Sequence, residues 1–326
     1  MVFKKHPSNP IISPRSFWWE SRQTFNPGAV YIDGRVHLLY RAIGEDWVSR
    51  LGYASSINSF EIVERLSYPV YEHKYEHEPI PYPSMSPSGG SFIGAEDPRL
   101  VCMDGEDRIY MTYTAYDGWN IRVALTSIDV ECFLKKKWEW GPVKIISPPG
   151  EPHKNWVFFP KKLKGRYAIL HSLSPRLQIE YLDSLEFPEG FYIKSVFDER
   201  CRSWSPVWEA RMRGAAAPPV ETEKGWLLFY HATDTKEPHK YKVGALLLDL
   251  HEPERILSVS PCPLLEPTEP YEFTGFKPNV IYVTGAIVQG DDLWLYYGAA
   301  DNYVGVAKGS LSGLVGLLLK YQGKNL

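Results

Sequence analysis

The sequence repeats one segment five times: a small-residue or proline entry, a strand, a polar turn, and an apolar-aromatic strand. The copies read NPGAVYIDGRVHLLYRA, EDPRLVCMDGEDRIYMTYTA, FFPKKLKGRYAILHSL, APPVETEKGWLLFYHA and TGAIVQGDDLWLYYGA. Each second strand closes on a ring, at Tyr40, Tyr113, His171, Tyr230 and Tyr297, which lie 73, 58, 59 and 67 residues apart. Asp-Gly, Lys-Gly or Gly-Asp stands at every turn, the chemistry of tight hairpins. A third strand with small alternating residues follows most copies, as in SRLGYASS, IRVALTSI and VGVAKGSL. Such a unit cannot bury its apolar face alone, so its neighbours must cover it. With almost no helical periodicity between copies, the pattern predicts an all-β chain, a single five-bladed β-propeller over residues 1–326. A β-sandwich is the alternative, but it leaves the regular recurrence unexplained. Leucines at 311, 314, 317, 318 and 319 predict a short C-terminal helix.

Aromatic residues make up 14% of the chain, with 11 Trp and 21 Tyr, an excess that suits both sheet cores and sugar-stacking surfaces. The net charge of -3 offers no attraction for nucleic acid or an anionic membrane surface. The opening MVFKKHPSNP has no apolar secretion core, and no apolar run nears the ~18 residues of a membrane span. Four scattered cysteines form no CxxC pair, which predicts reduced thiols, a cytoplasmic setting and no cysteine-bound metal. His73 and His77 have an i,i+4 spacing but lie in the charged, proline-flanked YEHKYEHEP, a solvated loop rather than a metal site.

In a propeller the module entries and the residues just after each second strand gather near one axis. Those positions hold Asn26 and Asp97 at entries, then Arg41, Thr114, Ser172, His231 and Gly298 after the landmark rings. Pro98 predicts an extended Asp97 with an aimed carboxylate, and strand alternation predicts Glu96 and Asp97 on opposite faces. The Asp-Pro-Arg run suits a turn closed by a local salt bridge as well. Trp119, Trp156, Trp204 and Trp208 are candidates for stacking on a pyranose, or for core packing.

The segments GAEDPRL, FNPGAVY…LLYRA, FPKK…GRYAILH, GAAAPP…GWLLFYHA and YYGAAD, spanning about residues 25 to 305, resemble glycoside hydrolase family 130. The resemblance implies a five-bladed propeller that cleaves short β-mannosides from the non-reducing end with inversion. It implies that Asp97 is the general acid, its proton reaching the leaving oxygen through the mannose 3-hydroxyl. Asn26 and Arg41 match positions lining the sugar and phosphate site. Arg50, Lys162, His231 and Asp301 match further family positions, although Lys161 replaces a glutamate beside Lys162. Arg50 and Lys162 also suit plain surface charges, and Asp301 a turn.

One departure concerns the nucleophile. Phosphorylases of the family usually carry Leu-His-Arg in the third module, whereas this chain has Leu170-His171-Ser172, keeping the histidine and losing a charged fork for phosphate. This tips the expectation toward hydrolysis, with phosphorolysis to mannose 1-phosphate as the alternative and a non-catalytic glycan-binding propeller as a distant third. Inverting hydrolysis needs a second carboxylate, ~6.5–9.5 Å from the acid, to activate water. Glu209 is the candidate base and Glu272 a second. No cofactor is expected beyond phosphate as a co-substrate. The partner is an oligosaccharide, and a homo-oligomer stays open.

Overall fold

Period-two patterning and Gly-bearing turns leave little room for helix, and strands dominate the computed structural model, which describes residues 2–75, 92–174, 176–195, 208 and 211–322. A two-residue strand, β1 (Lys4–Lys5), comes first. The first module follows as β2 (Gln23–Ile32), β3 (Arg35–Ile43), β4 (Ser49–Ser56) and β5 (Ile62–Arg65). The second is β6 (Gly94–Cys102), β7 (Arg108–Tyr116), β8 (Ile121–Asp129) and β9 (Lys144–Ile145), with helix α1 (Val130–Leu134) after β8. The third is the slightest: β10 (Val157–Phe158), β11 (Tyr167–Ser172) and β12 (Gln178–Leu182). The fourth comprises β13 (Arg211–Ala215), β14 (Val220–Thr222), β15 (Gly225–Thr233), β16 (Lys242–Leu248) and β17 (Ile256–Val259). After helix α2 (Pro270–Phe273), the fifth holds β18 (Ile281–Gln289), β19 (Asp292–Ala299) and β20 (Tyr303–Ser310), and α3 (Leu311–Lys320) closes the chain where the leucines predicted it.

Every module is an antiparallel meander, and the first two are joined by a single parallel contact between Ser49 and Gly94. Buried apolar clusters lie between the first and second modules, the second and third, the third and fourth, and the fourth and fifth. A further cluster sets Trp294 and Tyr296 of the fifth module against Ala29 and Leu38 of the first. The N-terminal β1 pairs with β20 and so becomes the outer strand of the fifth sheet. Nothing in the repeat announces this strand. Phe3 anchors it, fully buried and edge-on to Phe229.

Three of the landmark rings share a steric role. Tyr40, Tyr230 and Tyr297 face Gly52, Gly244 and Gly305 on the next strand. A methyl group on those glycines would come within 2.4, 2.5 and 2.4 Å of the ring Cζ. Small residues in the third strands therefore make room for a tyrosine lying across them. We expect Gly244→Ala to lower stability by about 1–3 kcal/mol through overpacking, read as a shift in the urea midpoint. Gly316→Ala, at an open position in α3, should instead raise it by up to ~1 kcal/mol.

Candidate active site

Strand β2 breaks register between Phe25 and Gly28, and β6 between Glu96 and Arg99. These matching bulges carry Asn26-Pro27 and Asp97-Pro98. Asn26 and Asp97 both adopt left-handed backbone, φ 44° and 52°, so Asp97 is not extended as the following proline suggested. Proline disfavours right-handed helix in its predecessor but leaves the left-handed region to the bulge, and Asn and Asp tolerate it best among side-chain-bearing residues. The bulge also undoes the expected alternation. Arg41 on β3 reaches both acids, with Nη2 3.0 Å from Glu96 Oε1 and Nη1 3.2 Å from Asp97 Oδ1.

Left-handed backbone at a non-glycine residue costs about 1 kcal/mol or more, and two neighbours hold Asp97 in it. Asn26 Nδ2 donates to its Oδ1 at 2.8 Å, joining the two bulges. Arg99 Nη1 donates to the Asp97 backbone carbonyl at 2.8 Å. The same guanidinium, fully buried, also donates to the Ala216 carbonyl of the fourth module and to Asn155 Oδ1. Burial alone would raise the Asp97 carboxyl. Arg41, Lys154, Arg99 and the Asn26 amide outweigh it and hold the group below the ordinary carboxylate value.

Around this acid stand three further groups. Glu96 is shared between Arg41 and Lys154, whose Nζ lies 2.9 Å from Oε2. Asp301, on a left-handed turn with Ala300, is pushed up to about 6, by burial first, with Lys277 and Arg41 opposing and Asp97 and Glu96 adding. His231 Nε2 accepts the Val283 amide at 2.9 Å, and its ring lies 4.0 Å from Tyr282, nearly parallel. Burial and then Arg99 lower His231 to about 3, so it is neutral with its proton on Nδ1, which has no partner among the described residues. Asn26 Oδ1, Thr114 Oγ1 and Tyr75 Oη are further buried polar atoms without a hydrogen-bond partner among the described residues.

A family model described as beta-1,4-mannooligosaccharide phosphorylase matches residues 3–320. The chain belongs to glycoside hydrolase family 130. A 1,2-beta-oligomannan phosphorylase from Thermoanaerobacter sp. strain X514 is 33% identical, over 93% of this chain and 96% of the relative. A beta-1,2-mannobiose phosphorylase from the same strain is 31% identical, over 92% and 94%. The Listeria innocua beta-1,2-mannobiose phosphorylase, solved with beta-1,2-mannobiose, superimposes with a TM-score of 0.73 over 98% of this chain and 99% of that one, at 23% identity.

In this cluster Asn26, Arg41, Asp97, His231 and Asp301 come together, and three residues expected with them stand apart. Lys162 pairs at 3.0 Å with Glu106 in the β6–β7 turn, at the opposite end of β6 from Asp97. Lys154 supplies the ammonium beside Glu96 instead, and only the loop's tertiary path could reveal it. Arg50 lies at the Asp97 end but is spent on Asp46 and Glu72 and stacks over Trp18. His171 bonds Ser195 and packs on Trp156, lowered to about 4 by burial and then His153.

The two candidate bases fare differently. Glu209 lies outside the described residues. Glu272 is fully buried in the capping box of α2, its Oε2 accepting from Thr268 N, Glu269 N and Lys5 Nζ and its Oε1 from Tyr297 Oη, so its carboxylate is engaged in holding α2 against β1 and β19. Among the tryptophans, Trp156 and Trp208 are core, Trp204 is outside the described residues, and Trp119 is 78% exposed on the β7–β8 turn, at the Asp97 end.

Two predictions follow from the packing and the charges. A methyl on Gly298 would lie 1.9 Å from Asn26 Oδ1, so Gly298→Ala should displace the amide that holds Asp97 and cut turnover by ~100-fold or more, measured on folded protein. Because Asp301 binds its proton more tightly folded than unfolded, its charge costs stability that is absent below about pH 4 and complete above about pH 6. The stability of Asp301→Asn relative to wild type should therefore rise across that window by of order 1–3 kcal/mol, read from urea unfolding at its two ends.

Proposed function

We propose that the protein is a five-bladed β-propeller phosphorylase that cleaves β-mannosides with inversion. The cluster joining the fifth module to the first, with β1 completing the last sheet, supports closure into a ring. For the reaction, the observation that carries most weight is the surplus of cations around one buried acid: Arg41, Lys154, Arg99 and Lys277 against Asp97, Glu96 and Asp301. Such a site favours an anionic co-substrate. Both full-length relatives carry phosphorylase names, which favours phosphorolysis over the hydrolysis that Ser172 suggested.

In this reading a phosphate oxygen bonds the anomeric carbon as the glycosidic bond breaks, and the departing electron pair takes the Asp97 proton. Phosphate, the mannoside and protonated Asp97 become mannose 1-phosphate, the released sugar and Asp97 carboxylate, with charge conserved. An acid held below its ordinary value is poorly protonated in the empty site. The arriving phosphate adds negative charge beside it and raises its proton affinity. Phosphate is the co-substrate and no other cofactor is proposed. Hydrolysis remains the second reading on one observation: Asp301, raised to about 6, has the proton affinity of a general base.

Incubating β-1,2- and β-1,4-mannobiose with and without phosphate tests the proposal. Phosphate-dependent mannose 1-phosphate is expected, and mannose released equally without phosphate would overturn it. Asp97→Asn should lose ~100-fold or more in kcat, and full activity would remove Asp97 as the acid.

A further inference from the structure

Strand β13 breaks register between Met212 and Gly214, so Arg213 is the extra residue of a bulge, as Asn26 and Asp97 belong to the bulges of β2 and β6. Its guanidinium carbon lies 5.2 Å from the Tyr241 ring centre. Lys277, from the segment before β18, places its ammonium 5.4 Å from the same centre. Neither cation has a carboxylate within ion-pair distance among the described residues, and Arg213 Nε is buried with no hydrogen-bond partner. Keeping an unsatisfied guanidinium nitrogen out of water is costly unless a ligand completes it.

The pair adjoins the acid's own supports. The Arg213 carbonyl accepts from Asn155 Nδ2 at 3.0 Å, and Asn155 Oδ1 receives Arg99, the residue that pins Asp97. Lys277 is the foremost charged neighbour of Asp301. Tyr241 in turn lies 6.5 Å from Tyr282, which stacks on His231. Two cations from the fourth and fifth modules thus adjoin the site whose acid comes from the second.

We propose that Arg213 and Lys277, set about Tyr241, form the seat of the attacking phosphate, in place of the third-module arginine where this chain has Ser172. A guanidinium and an ammonium with no carboxylate within ion-pair distance among the described residues match an oxyanion by charge, and the guanidinium also by its fork geometry. The inference rests on the phosphorolytic reading, and two measurements separate their fates.

The first is initial rates of mannose 1-phosphate formation over a grid of phosphate and mannobiose concentrations. For folded Arg213→Ala and Lys277→Ala, the phosphate KM should rise ~10-fold or more while the mannobiose KM stays within about twofold, and Arg213→Lys should recover part of the loss. An unchanged phosphate KM, or both KM values rising together, would overturn the seat. The second is calorimetric titration with inorganic phosphate, which needs no turnover. Wild type should bind it and Arg213→Ala should bind ~10-fold more weakly or worse. No binding to wild type, or equal binding to both, overturns the seat. Intact, Arg213-dependent binding alongside phosphate-independent mannose release would overturn only the phosphorolytic reading.

Discussion

The site depends on one buried arginine. Arg99 spans three modules, from the Asp97 carbonyl to the Ala216 carbonyl and Asn155, and so locks a left-handed bulge in a single orientation. Without it, the strain at Asp97 would have no opposing hydrogen bond on the main-chain side. Asn26, itself left-handed, fixes the carboxylate from the side-chain direction. Acid position is therefore a property of the packing between modules, not of the GAEDPR segment alone.

Charge organises what surrounds it. Glu96 is neutralised by Arg41 and Lys154, leaving Asp97 as the carboxylate held low and Asp301 as the one raised. Two carboxylates in the field of one guanidinium are thus driven apart in proton affinity. His231, kept neutral by burial, can present an N–H to a ligand without adding to the positive field.

Much of this was legible in the residues. The five landmark rings predicted the five meanders, and the Asp-Gly and Lys-Gly turns appear with positive φ at Asp33-Gly34 and Lys164-Gly165, as tight hairpins need. Asn26, Arg41, Asp97 and His231 stand together because each occupies a repeat entry or the place after a landmark ring, whereas Asp301, three residues beyond Gly298, was legible only through the family resemblance. Lys162 misled for the opposite reason. It lies in a connecting segment, where motif position says nothing about which end of a strand a side chain reaches, and Lys154 in the preceding loop holds Glu96 instead.

The sequence by itself determined the module, its strands and the aligned residues, since period, turn chemistry and small-for-large pairing are local properties of the chain. Tertiary structure alone decided that β1 joins the last sheet, that Glu272 caps a helix, and that Asp97 stands in left-handed backbone. It also placed Arg213 and Lys277 on one tyrosine. These facts arise where residues distant in the chain meet, and no local pattern encodes a contact across modules.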